Sequence, residues 1–249
     1  RQRQMCIRDS LLNEAAIDAA KEGRPYIMQK DIKKAFIKVG IGAEKKSKVI
    51  SDKEKKITAY HEAGHAILFH VLPHMDPVYT ISIIPTGMGA AGYTMPLPDN
   101  DEMFNTKNKM LEDITTLLGG RVAEEIIFGD ITTGASNDIK RATETARSMV
   151  MKYGMSEKIG LIAYGNDDDE VFIGRDLAHT RGYSEEVARE IDGEISRIIR
   201  ECHENAESII RENIGVLHSC AALLLEKEKI HREEFEALFT TEKEEVAKT

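Results

Sequence analysis

Ser51 and Glu54 stand three residues apart at the head of a run with helical periodicity, and this capping-box pair fixes where a helix must begin. The helix reads through KKITAYHEAGHAILFHVL and stops before Pro73, with Ile57, Tyr60, Ile67, Leu68 and Val71 as its apolar stripe. Well inside it lies His61-Glu62-Ala63-Gly64-His65, an H-E-x-x-H pattern. Residues four apart share one helix face. Two imidazoles at this spacing can therefore reach one tetrahedral ion at about 2.0–2.1 Å each. Glu62, rotated by about 100° round the axis, can face a metal-bound water without occupying a coordination position. Zinc lowers the pKa of such a water towards about 7, and the carboxylate can take its proton as it attacks a carbonyl. Gly64 costs about 1 kcal/mol relative to alanine in a helix interior, which points to close approach by another segment or to core packing.

A catalytic zinc needs a third protein ligand and an open fourth position. The extended pattern H-E-x-x-H-x-x-G-x-x-H is absent, because Leu68 and Val71 stand where its glycine and histidine would be. His70 and His74 are off the pattern and read as surface or helix-end residues. Two acidic candidates lie downstream: Glu124 or Glu125 in GGRVAEEIIFG, and Asp138 in the first turn of a helix within TTGASNDIKRAT. Spacing alone does not choose between them.

The remaining pattern is mainly helical. Residues 11–40 read as two helices broken at Gly23–Pro25, and a polar stretch at 44–50 reads as a linker. Residues 1–10 carry no clear periodicity and are set aside as non-native or disordered. VYTISIIP (Val78–Pro85) reads as a strand, with a second short strand near Tyr93–Met95. Helices are expected over about 105–127, 136–153, from Ser184 onward, 216–225 and 232–239, with a flexible tail at 240–249.

Several function classes are disfavoured. A net charge of −9 over 249 residues argues against nucleic-acid binding. No apolar run reaches the length of a membrane span, and no signal peptide is apparent. Cys6, Cys202 and Cys220 form no metal-binding or redox pattern. Gly87-Met88-Gly89-Ala90-Ala91-Gly92 matches GxGxxG, but Pro96 and Pro98 forbid the helix that a dinucleotide site requires. The glycines instead suggest a turn beside a strand that binds peptide through its edge, with Val78, Thr80, Ile81, Ser82, Ile83, Ile84, Gly87 and Gly89 as candidate substrate-binding residues. Asp167–Glu170 lacks calcium-loop spacing and reads as a solvated acidic turn.

HEAGHA, SIIPTG, GGRVAEEIIFG, TTGASNDIKRAT and EVFIGRD, in this order, resemble the peptidase domain of the FtsH family over residues 51–239. LLNEAA…DIKKAF, within 11–43, resembles the end of the helical lid of an AAA+ ATPase module. The resemblance implies a mainly α-helical zinc peptidase with a small β element beside the site. It implies Asp138 as the third zinc ligand, one Zn²⁺ per subunit, and Glu124 orienting a ligand histidine. It further implies a membrane-anchored homo-hexamer, with the peptidase on the cytoplasmic side, that degrades unfolded or misassembled proteins, membrane proteins included. ATP and Mg²⁺ would act only through an ATPase module, since no Walker A sequence occurs here and the chain reads as a soluble fragment. A catalytically inactive, zinc-stabilised scaffold is the rival reading. The intact Glu62 favours the enzyme.

Overall fold

The computed structural model describes residues 2–44, 50–87, 90–98, 102–164 and 183–246. Its elements in chain order are α1 (Gln2–Lys21), α2 (Gln29–Ile41), α3 (Asp52–Val71), β1 (Val78–Ser82), β2 (Tyr93–Pro96), α4 (Lys107–Phe128), α5 (Ser136–Met151), α6 (Glu185–Glu212), α7 (Ile214–Lys227), β3 (Lys229–His231) and α8 (Arg232–Val246). The mainly helical expectation with a small β element holds. Two boundaries differ: α1 begins at Gln2, since no proline or glycine interrupts residues 2–10, and α8 runs on past Phe239 to Val246. The acidic stretch 167–170 and the EVFIGRD block lie outside the described residues.

The capping box at the start of α3 forms as read, with Ser51 Oγ accepting from the Glu54 N–H at 3.2 Å. The helix is not amphipathic in the simple sense. From Ala59 to Leu68 every residue except His61 is buried, while Val71 is exposed at the helix end. A helix buried all round is a core helix, and α3 lies between α4, α6 and α7 on some sides and the sheet on another. One core joins α3 to β1, α7 and α8 through Ile67, Leu68, Ile81, Leu217, Leu224 and Phe235. A second forms where α4, α5 and α6 meet, around Ile114, Met149, Ile195 and Ile198. Among the described residues no single helix is long and apolar enough to cross a membrane.

Helices α3 and α4 run antiparallel in intimate contact, and glycines make this possible. A Cβ on Gly64 would lie 2.5 Å from the Gly119 carbonyl oxygen and 2.7 Å from the Ala123 Cβ. A Cβ on Gly119 would meet the Leu68 Cδ1 at 2.6 Å. The close approach expected from Gly64 is thus present, and its partners are Gly119 and Ala123.

The sheet has the order β2-β1-β3, with both pairings antiparallel. This corrects the expectation that Val78–Ile84 offers a free edge. Both edges of β1 are taken, the Ile83 N–H donates to Glu228 O at 3.0 Å, and the Ile84 N–H donates to Ser82 Oγ at 3.2 Å. Val78, Thr80, Ile81, Ser82, Ile83 and Ile84 are buried, so none can pair its backbone with an incoming peptide. The third strand, β3, is only three residues long, too short to announce itself by alternation.

Alanine at Gly64 would gain about 1 kcal/mol of helix propensity. Its Cβ, however, would press on backbone that cannot rotate away, and overpacking of this kind costs about 1–3 kcal/mol. Gly64→Ala is therefore expected to lower the urea midpoint of unfolding, and an unchanged midpoint would mean that α3 and α4 can part without penalty.

Candidate metal centre

The His61 and His65 side chains project from one face of α3 towards α4 and the start of α5. Their Nε2 atoms are 3.1 Å apart, and Asp138 Oδ2 lies 3.6 Å from His61 Nε2 and 3.7 Å from His65 Nε2. With metal bonds of about 2.0–2.1 Å, the corners of a tetrahedron are roughly 3.3 Å apart. The three atoms therefore suit three corners around one ion, with the fourth left open. Among the described residues this is the one cluster of His, Cys, Asp or Glu with such spacing.

Each imidazole is oriented through its other nitrogen. His61 Nδ1 is 2.7 Å from Glu124 Oε1, and His65 Nδ1 is 2.8 Å from the Thr116 carbonyl oxygen. A carboxylate and a carbonyl accept, so each Nδ1 carries a proton, which leaves each Nε2 as the atom that would bind a metal. Glu124 is almost wholly buried on α4, and its second oxygen accepts the Thr132 N–H at 2.8 Å. That bond holds the loop leading into a short 3₁₀ turn, Thr133–Ala135, from which α5 starts. One carboxylate thus fixes a histidine and the approach to Asp138. Asp138 sits in the first turn of α5, where the helix dipole favours a negative charge.

The alternatives left open by spacing separate clearly. Glu125 faces away, accepting from Arg121 Nε at 2.9 Å and lying 3.1 Å from His203 Nε2. Glu124 touches the outer nitrogen of His61 and not the centre. His74 is held by Glu112 and His70 stacks on Phe239, so neither joins the cluster. Gly87 donates its N–H to Ala43 O at 2.9 Å, and the chain continues into β2 rather than a helix. Gly89 lies outside the described residues.

Glu62 is buried beside the two histidines and accepts the Thr94 hydroxyl at its Oε2, 2.8 Å away. Burial pushes this carboxyl up to about 7, against the pull of His61. Burial would also lower both imidazoles, and in His65 it prevails together with the charge of His61, holding His65 down at about 4. In His61 the neighbouring Asp138 and Glu124 carboxylates outweigh burial and raise it to about 10. Burial opposes ionisation of Asp138 and Glu124 too, but His61 above all keeps both below the usual carboxylate range.

Three contributors escape a reading of the sequence. Thr94 lies on β2, and only the folded sheet brings it to Glu62. Gly92 is needed because a Cβ there would fall 2.9 Å from Glu62 Oε1 and 2.7 Å from Ser82 O. Gly120 leaves room for the His61 ring, which a Cβ would meet at 2.5 Å. The Gly-Gly doublet inside a helical run was the available signal for the last, since paired glycines there are costly without a packing reason.

A model of peptidase family M41 matches residues 48–238. Among curated relatives, the ATP-dependent zinc metalloprotease FtsH 1 of Thermoanaerobacter sp. is 51% identical over 234 residues, 94% of this chain and 38% of the relative. The ATP-dependent zinc metalloprotease FtsH of Caldicellulosiruptor bescii is 54% identical over 230 residues, 92% of this chain and 37% of the relative. That of Thermotoga maritima is 49% identical over 238 residues, 96% of this chain and 39% of the relative. The chain thus spans less than two fifths of the length of these relatives.

Outer hydrogen bonds of the Glu124 kind are worth about 10–100-fold in metal affinity. Glu124→Gln is expected to weaken zinc binding by about that factor in competition against a chromophoric chelator. Unchanged affinity would mean that Glu124 does not orient His61.

Proposed function

The chain belongs to peptidase family M41, and on that premise we propose that it is a zinc-dependent endopeptidase with His61, His65 and Asp138 as metal ligands and Glu62 as general base. The observation that carries this reading is the set of three donor atoms 3.1–3.7 Å apart, with a buried carboxylate on the same helix beside them. The donor chemistry fits zinc: two neutral imidazole nitrogens and one carboxylate oxygen are among its usual ligands. Bound zinc supplies Lewis acidity, drawing the pKa of water towards about 7 and polarising the scissile carbonyl.

Glu62 accepts the proton of the attacking water and passes it to the departing amine as the peptide C–N bond breaks. A buried carboxylate one residue from a ligand histidine is placed to take and release that proton. The Thr94 hydroxyl holds Oε2, so Oε1 is the oxygen free for this transfer. Gly92 keeps the space beside Oε1 clear.

The substrate backbone pairs along the outer edge of β2 rather than along β1. Among the described residues β2 has a strand neighbour on one side only, and its Thr94 already reaches Glu62. Pairing through backbone groups tolerates many side chains, which suits unfolded or misassembled proteins, membrane proteins included, as substrates. By likeness to the relatives, the full protein works as a membrane-anchored homo-hexamer whose peptidase faces the cytoplasm. ATP and Mg²⁺ then act in a motor carried by the part of those relatives that this chain does not match. The α1–α2 pair corresponds to the end of that motor's helical lid.

General acid–base catalysis contributes about 10²–10⁴-fold. Glu62→Gln should therefore keep its zinc and lose casein cleavage by about that factor, read by metal analysis and gel assay on the same preparation. Full activity in the zinc-loaded variant would remove Glu62 as the base. Zinc binding without cleavage in the unsubstituted protein would favour the scaffold reading.

A further inference from the structure

The outer face of the sheet carries an ionic clamp that the chemistry above does not use. Tyr93 on β2 and Lys229 on β3 both pair in register with Ser82 of the central strand. Residues in one register row point to the same face of a sheet, so Tyr93 and Lys229 flank Ser82. Glu44, in the segment after α2, lies over this row. Its Oε1 accepts the Tyr93 hydroxyl at 3.2 Å and the Lys229 ammonium at 2.8 Å. Lys229 Nζ also lies 5.8 Å from the centre of the Tyr93 ring.

The Glu44 and Lys229 side chains are 23% and 24% exposed, so this pair is better shielded than a surface ion pair. Burial raises Tyr93 and keeps its hydroxyl a donor, and Glu44 outweighs burial in keeping Lys229 charged. Two neighbouring contacts seat the same segment. Glu44 forms a β-bridge with Thr86, and Ala43 O accepts the Gly87 N–H at 2.9 Å.

Alternation along β2 links this face to the site. Tyr93 and Met95 face the α2 segment, and Thr94 between them faces α3 and holds Glu62. We propose that Glu44 is a positioning residue for proteolysis: by bridging β2 and β3 over Ser82, it sets the place of β2 and so of Thr94 against Glu62. The seat of α2 is then felt at the general base. This inference rests on Glu62 acting as proposed above, and it adds the device that holds its partner strand.

The test uses the zinc-loaded chain with Glu44→Gln and, separately, Lys229→Met, which breaks the clamp from its other end. Hydrogen exchange read by mass spectrometry is expected to quicken in peptides covering 93–96 in both variants, with α4 and α6 unchanged. For an unfolded peptide substrate, kcat is expected to fall on the order of tenfold with zinc content intact, as for small misplacement of a reacting group, and KM to rise because the loosened β2 edge pairs the substrate. The double variant should be no worse than the poorer single one, since both remove one interaction. Unaltered exchange at 93–96 would overturn the clamp, whatever the activity. Faster exchange with unchanged kcat would overturn the positioning role. If the unsubstituted chain cleaves nothing, the proteolytic reading falls, and the exchange data still decide whether Glu44 holds β2.

Discussion

The contact between α3 and α4 at Gly64, Gly119 and Gly120 is the constraint on which the rest depends. With Cβ atoms only 2.5–2.7 Å from their would-be neighbours, any larger side chains at Gly64 or Gly119 would force the helices apart. At their present spacing His61 reaches Glu124, and His65 reaches the Thr116 carbonyl. Glycine in a helix interior costs about 1 kcal/mol each relative to alanine. That expense is offset by the packing of Leu68, Val122 and Ala123 in the core at the same crossing. The close packing and the bonds that orient the imidazoles therefore depend on one helix spacing, which the glycines permit and at which Glu124 and the Thr116 carbonyl reach the rings.

Charge sets the second constraint. Glu62, Glu124 and Asp138 surround two imidazoles in a shielded place, where like charges repel strongly and water screens little. The opposite displacements of His61 and His65 follow from this. One ring gains the stabilisation of two carboxylates, and the other bears burial and its neighbour's charge. Burial raises Glu62, and among the described residues its hydrogen-bond partner is the Thr94 hydroxyl and not a cation. Three carboxylates within one site thus differ by their partners: Asp138 faces both Nε2 atoms, Glu124 sits behind His61, and Glu62 holds the Thr94 hydroxyl.

How much of this the sequence discloses depends on how local each contact is. His61, Glu62 and His65 are legible because one capped helix carries all three at a fixed spacing. Helix starts at Ser51 and Ser184 are read from the sequence, and both residues cap in the structure through a side-chain oxygen, as Thr106 does for α4. Asp138 is not legible from spacing, since its place depends on the loop that Glu124 holds through Thr132. It was reached through family resemblance. The order of strands is hidden for the same reason. Nothing in VYTIS says that KIH, far along the chain, will occupy its second edge, and the edge reading of Val78–Ile84 fails there. Burial on all sides of α3 was masked by its alanines and glycine, which add little apolar character while permitting close neighbours.

The position of β2 shows why so short a strand can matter. In four residues it presents Thr94 to Glu62 on one face and Tyr93 and Met95 to the α2 segment on the other, and it is bonded along one edge to β1. Because successive side chains alternate, a shift of one residue would exchange the two faces and remove Thr94 from Glu62. Register is therefore protected from both sides. Gly92 admits the strand close to Ser82 and Glu62, while the Glu44 bridge joins its first residue to β3 over the central strand. An edge strand free on its outer side is otherwise the part of a sheet most prone to slip. Here the slip would reach Glu62, the proposed general base, directly, so the contacts that fix this strand would act on the proposed chemistry as well as on the fold.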